Sequence, residues 1–156
     1  MAIADMFLKI QGVTGEASDA DHKGEIIVTS WSWGMQASVS MMTGQASAKA
    51  AISELHVVKH VDLSSPTLMA FLRNNKDIKE AVLTVRKAGA KPLEYFKIEL
   101  FNARVTSLKA ESEGPNLVER VGLGFSRIRV SYIPQSETGA KGGGTNVFDA
   151  DVHTGS

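Results

Sequence analysis

The feature that most limits what this chain can become is a change of phase inside its longest apolar run. Over residues 117–133, Val121, Leu123 and Phe125 keep one parity, whereas Ile128, Val130 and Tyr132 keep the other. Side chains alternate across a strand, so one straight strand cannot bury both sets on the same side. A bulge near Ser126-Arg127 is the expected device, because one extra residue exchanges the faces and bends the strand. A second change falls between Phe96-Ile98-Leu100 and Ala103-Val105. Bent strands whose faces change partners are what closure of a sheet demands. The expectation is an all-β, mainly antiparallel domain built as a small β-barrel of two curved sheets.

The other strand-like runs are residues 6–11, 26–33, 52–61, 81–87 and 93–108, rich in Val, Ile, Leu and aromatics with a period of two. One short flanking α-helix is expected. Ser64-Ser65-Pro66-Thr67 offers an N-cap hydroxyl and a proline for the first turn, Leu68, Phe71 and Leu72 follow at helical spacing, and Asn74-Asn75 ends it.

Both tryptophans lie in one run, Trp31-Ser32-Trp33. If residues 26–33 are one strand, Ile27, Thr29, Trp31 and Trp33 share a side, and Ile26, Val28, Ser30 and Ser32 share the other. A buried aromatic removes about 150–250 Å² from water, an upper bound of roughly 4–6 kcal/mol each. Two such rings are expected either in the core or against a second chain.

At 156 residues the chain suits one domain with one hydrophobic core. Seventeen basic residues balance 17 acidic ones, so no net field favours nucleic acid or an anionic membrane. With no cysteine there is no disulfide framework, thiolate nucleophile or sulfur-ligated zinc. The opening residues show no basic and apolar signal pattern, and no run approaches the length of a membrane span. Synthesis in the cytoplasm without a cleaved signal is expected, and any export must recognise the folded protein.

Two segments depart from the strand pattern. Residues 35–49 are mostly Ser, Thr, Gln, Ala, Gly and Met with no charge before Lys49, and they carry Met35, Met41 and Met42. A loop this long inside a compact domain is either a solvated linker or a functional element, and its adaptable methionines favour packing on another protein. Residues 136–156 read as a flexible, glycine-rich tail after a domain of residues 1–135.

Catalytic patterns are weak. His56 and His60 would stand about 13 Å apart along a strand, too far to share a metal, and neither His22 nor His153 has a ligand pattern around it. Asp19-Ala20-Asp21 lacks the glycine and glutamate of a calcium loop and reads as a solvated turn. Glycine spacing fits neither a nucleophile elbow nor a phosphate loop, and Gly122-Leu123-Gly124 reads as room for curvature or close packing within a strand. Lys87, Lys91, Arg127 and Arg129 are interleaved with acids and lack an aromatic platform for bases.

Five pieces in order resemble one family, the haemolysin-coregulated proteins (Hcp). They are Asp5-Met6-Phe7-Leu8-Lys9-Ile10, Trp31-Ser32-Trp33-Gly34, Ser65-Pro66-Thr67-Leu68-Met69, Leu83-Thr84-Val85-Arg86-Lys87-Ala88-Gly89, and Glu119-Arg120-Val121-Gly122-Leu123-Gly124-Phe125 with its ending Tyr132-Ile133-Pro134-Gln135. The resemblance implies a secreted structural protein of the bacterial type VI secretion system, a barrel forming hexameric rings that stack head to tail into the inner tube. It also implies small effectors held in the ring lumen, contact with spike and sheath components, and neither catalytic residues nor a cofactor. Within this chain it points to Ser32 as the lumen and effector contact, and to the extended loop 35–49, with Met35, Met41, Met42 and Gln45, as the ring-stacking element. Trp31 and Trp33 stay open between core and subunit interface. The competing reading is a monomeric β-barrel that binds a small ligand or hydrolyses one in its cavity, which would need a polar cluster converging inside the barrel.

Overall fold

The computed structural model describes residues 4–39, 41–45, 50–87, 93–135 and 142–152. The strands are β1 (Ala4–Ile10), β2 (Ile26–Ile27), β3 (Ser30–Ser32), β4 (Met35–Gln36), β5 (Ala51–Ile52), β6 (Leu55–His60), β7 (Ile78–Lys87), β8 (Glu94–Glu113), β9 (Asn116–Tyr132) and β10 (Asn146–Asp151), and the helix is α1 (Ser65–Arg73). All described pairings are antiparallel, and the main sheet runs β2-β1-β7-β8-β9-β6-β3, with β10 also on β9.

The ends of that sheet are neighbours in sequence, and this closes the barrel. Val28 donates its N–H to the Met6 carbonyl (3.0 Å), and the next residue, Thr29, donates to the Val58 carbonyl from its N–H (2.8 Å) and its hydroxyl (2.9 Å). One extended segment thus joins the β1 edge to the β6 edge over part of each strand. The run read as a single strand is therefore two, and its faces shift: Ile26 and Val28 are buried, Ile27 is 49% exposed, and Trp31 and Trp33 pack on the core. Ile27 does not share a side with the tryptophans, because the chain turns from one sheet edge to the other at Thr29.

The interior is filled by Leu8, Ile10, Ile26, Leu55, Leu83, Ile98, Leu100, Leu123 and Ile128, all essentially inaccessible to water. Helix α1 inserts Leu68 into this cluster. Pro66 stands in its first turn as expected, but Ser64 does not cap it through its side chain. The Ser64 hydroxyl donates instead to Asp62 Oδ1 (2.5 Å).

The phase changes in β8 and β9 face each other. Register is kept across them, with Phe101 opposite Arg127 and Ala103 opposite Phe125, so no bulge lies at Ser126-Arg127. Asn102 takes a left-handed backbone (φ 51°), a conformation asparagine tolerates better than most residues, and Ser126 Oγ donates to the Phe101 carbonyl (3.2 Å). The register slips further along, between Val105 and Ser107. Part of the segment read as a flexible tail is also ordered: Asn146–Asp151 forms β10 on the outer half of β9 and buries Ala150. Residues 136–141 and 153–156 of that segment lie outside the described residues.

Candidate assembly and cargo surfaces

Strand register decides which side chains share a face. Ser32, His56, Gly122 and Ser107 form one row across β3, β6, β9 and β8, and Ser30, Val58, Arg120 and Lys109 form another. Between them, Trp31, Val57, Val121 and Leu108 alternate to the other side and join the core. The Ser32 hydroxyl therefore points away from the barrel interior, while Trp31 points into it and stacks on Phe96 at 5.2 Å, 15° between planes. Trp33 also packs against the core, with its indole nitrogen buried and unbonded.

Two glycines of β9, Gly122 and Gly124, shape the face around Ser32. A side chain at Gly122 would place its Cβ 2.4 Å from Ser107 Oγ and 3.3 Å from the His56 ring, and one at Gly124 would stand 3.1 Å from Thr106 Cγ2. These two glycines let neighbouring polar side chains lie across β9, which is the close packing expected of them. A depression of about 400 Å³ beside them is bordered by Ser30, Ser32, His56, Val58 and Arg120. Its one guanidinium is partly neutralised, since Arg120 Nε donates to Glu111 (2.8 Å) and Nη2 to Glu113 (3.2 Å), and Arg120 holds the Glu111 carboxyl below its ordinary range. Glu111 and Glu113 both lie on β8. The face offers hydroxyls and an imidazole with little net charge. Such a surface suits polar contact with another protein better than capture of an ion.

The loop that follows begins as structure. Met35 pairs with Ile52 and Gln36 with Ala51, while Gly34 and Ser53 exchange main-chain and side-chain hydrogen bonds (2.9 and 3.0 Å). Beyond this base Met41 is 92% and Met42 97% exposed, Met35 and Val39 are about half exposed, and Gln45 is exposed. Residues 40 and 46–49 lie outside the described residues. At the opposite end of β6, Val61 donates its N–H to the Leu117 carbonyl (3.1 Å), and Val61, Leu63 and Leu117 are exposed. Apolar surface therefore stands at both ends of this strand.

The outer half of β9 is a charged clamp. Arg127 grips both Asp149 oxygens (2.8 Å each), Arg129 Nε adds a third bond (3.0 Å), and both guanidinium groups lie over the Phe101 ring at 5.2 and 5.8 Å. These bonds depress the Asp149 pKa to about 2. The clamp ties β10 to β9 and uses positive charge that sequence left unassigned. Asp19, read as part of a solvated turn, is bound by Arg86. Among the described residues no group of three or more His, Asp or Glu side chains is placed to hold a metal ion, and no helix is long and apolar enough to cross a membrane.

The barrel interior is filled by apolar side chains, and the polar row of Ser32 and the methionines of the 35–45 loop lie on its outside. Residues 7–132 match the family described as the type VI secretion system effector Hcp. The chain is 41% identical over 145 residues to protein hcp1 of Pseudomonas aeruginosa, covering 90% of each. Its fold superposes on Hcp1 from Salmonella typhimurium with a TM-score of 0.80, at 30% identity over 99% of this chain and 97% of that one. A type six secretion system protein with a TM-score of 0.89, at 21% identity over 99% of both chains, shares the fold. The chain belongs to the Hcp family, the structural tube protein of type VI secretion.

Proposed function

We propose that this protein closes into six-membered rings, that the rings stack head to tail as the inner tube, and that the lumen carries small effectors past Ser32. The supporting observation is the polarity of the barrel. Exposed methionines Met41 and Met42 project from the loop at one end of β6, and exposed Val61, Leu63 and Leu117 lie at its other end. A repeating head-to-tail contact needs two different, complementary surfaces on opposite ends of the subunit. In this reading Met35, Met41, Met42 and Gln45 belong to the stacking contact, and Ser32 with its polar row belongs to the lumen. Trp31 and Trp33 brace the lumen-facing strand from the core side.

The protein is made in the bacterial cytoplasm and leaves through the secretion machine, in contact with its spike and sheath. Effectors are held by the near-neutral Ser32 face through hydrogen bonds and shape. Light scattering after size exclusion, over a range of concentrations, tests the ring: a mass near six chains is expected, and a persistent monomer overturns it.

A further inference from the structure

Residues 12–25 cross the outside of the barrel as a strap. It starts at Gly12 (φ 86°), directly after β1, and folds on itself through Gly15 N–H to the Gly24 carbonyl (2.7 Å), Gly24 N–H to Ala17 (2.9 Å) and Ala17 N–H to Glu25 (3.0 Å). Leu8, Leu83 and Val85 point into the core, so Phe7, Thr84 and Arg86 point outward, beneath this strap. His22 covers Phe7 with its ring stacked at 4.5 Å and 7° and is itself only 6% exposed.

Both nitrogens of that imidazole face carboxylates. Nε2 is 2.8 Å from Glu94 Oε2 on β8, and Nδ1 is 3.0 Å from both oxygens of Glu25 at the strap's own end. An ionised carboxylate only accepts, and a neutral imidazole carries a single N–H, so only the imidazolium can make both contacts at once. A second tether has a permanent charge: Arg86 on β7 donates to Asp19 (2.9 Å) and to Asp5 (3.3 Å), and lies over Phe7 at 5.1 Å.

We propose that the strap is a pH-gated cover, its 20–25 end locked to β8 by the His22 imidazolium between Glu25 and Glu94 and released when that ring loses its proton. The charged groups around His22 are Glu25, Asp19 and Asp21 on the strap, Lys9 on β1, Lys79, Glu80 and Arg86 on β7, and Glu94 and Lys97 on β8. Burial alone would lower its pKa, but hydrogen bonds to Glu94 and Glu25, together with their charge, raise it above 6.5. A raised pKa means that the lock is complete below about 6.5 and is lost as pH climbs through the higher folded value. Arg86 keeps its charge over that interval, so Asp19 stays tethered while the His22 end opens.

Because the chain has no cysteine, Ala20→Cys gives a single spin-label site at an exposed strap position. Electron paramagnetic resonance then follows strap motion in the assembled protein, and carbon-13 labelled histidine, assigned with His22→Gln, follows the proton. The expected result is a His22 midpoint above 6.5, a label that becomes mobile at that midpoint, and both transitions moved to lower pH by Glu94→Gln. Glu25→Gln serves as the second variant if the first folds poorly. A His22 midpoint at or below 6.5, or a label whose spectrum ignores it, overturns the proposal.

Discussion

Lys59 on β6 and Glu119 on β9 stand directly opposite each other, their Nζ and Oε1 atoms 2.6 Å apart with neither side chain exposed. Ser65, at the start of α1, donates to the same Glu119 oxygen (3.0 Å) and accepts from Lys59 (3.1 Å), and Asp62 lies 3.1 Å from Lys59. A buried ion pair is therefore the joint between helix and barrel.

Breaking that pair from one side leaves a buried charge short of its main partner: Glu119 would keep only the Ser65 hydroxyl, and Lys59 only Ser65 and Asp62. Glu119→Leu or Lys59→Met is expected to cost about 3–5 kcal/mol, whereas the double variant, which removes both charges, is expected to recover much of the loss. Urea unfolding of the four proteins measures this. Additive losses in the double variant would show that the two residues act independently.

The barrel was legible because period and phase are written in apolar residues, and the turns of phase named the places where strands bend. The means of bending was not legible: a left-handed Asn102 and a slip beyond Val105 leave the same apolar pattern as a bulge at Ser126. The buried pair did have a signal. Lys59 continues the inward parity of Leu55 and Val57, and Glu119 that of Val121 and Leu123, so each strand carries an opposite charge on its buried side. His22 had none, since its partner Glu94 is 72 residues away and only the folded chain joins them. Nor did β10, whose Val147, Phe148 and Ala150 follow a glycine run that reads as linker.

Ser32 faces outward while Trp31 carries the packing, so a substitution at Ser32 tests the proposed cargo contact without disturbing the core. Ser32→Glu is expected to shift stability by no more than about 0.5 kcal/mol, as surface substitutions do, and to leave ring mass unchanged. Effector recovered with purified rings is expected to fall. Normal recovery would remove Ser32 from the cargo surface.

Met41 and Met42 touch little of their own barrel, so replacing both with Gln should leave folding intact. In the proposed stack one loop would bury little beside the about 800 Å² per partner of a stable pair, but a ring would repeat the contact, and repeated weak contacts gain by linkage. The double variant is expected to keep the ring mass and shorten tubes in electron micrographs. Tubes of unchanged length would place the stacking contact elsewhere.

Asp149 holds two arginines, and that sets the acid limit of β10. Its pKa of about 2 lies below the ordinary 3.8, so the clamp contributes fully above 3.8 and is lost as pH falls through about 2. Down to pH 4 the strand should resist protease as it does at neutrality, and toward pH 2 it should become cleavable. Asp149→Asn removes the charge at every pH and leaves Arg127 and Arg129 repelling each other over Phe101. That variant is expected to expose 146–151 to limited proteolysis at pH 7, with cleavage sites read by mass spectrometry. Equal protection in the variant and the wild type would mean that the ladder to β9 and the burial of Ala150 hold the strand without the clamp.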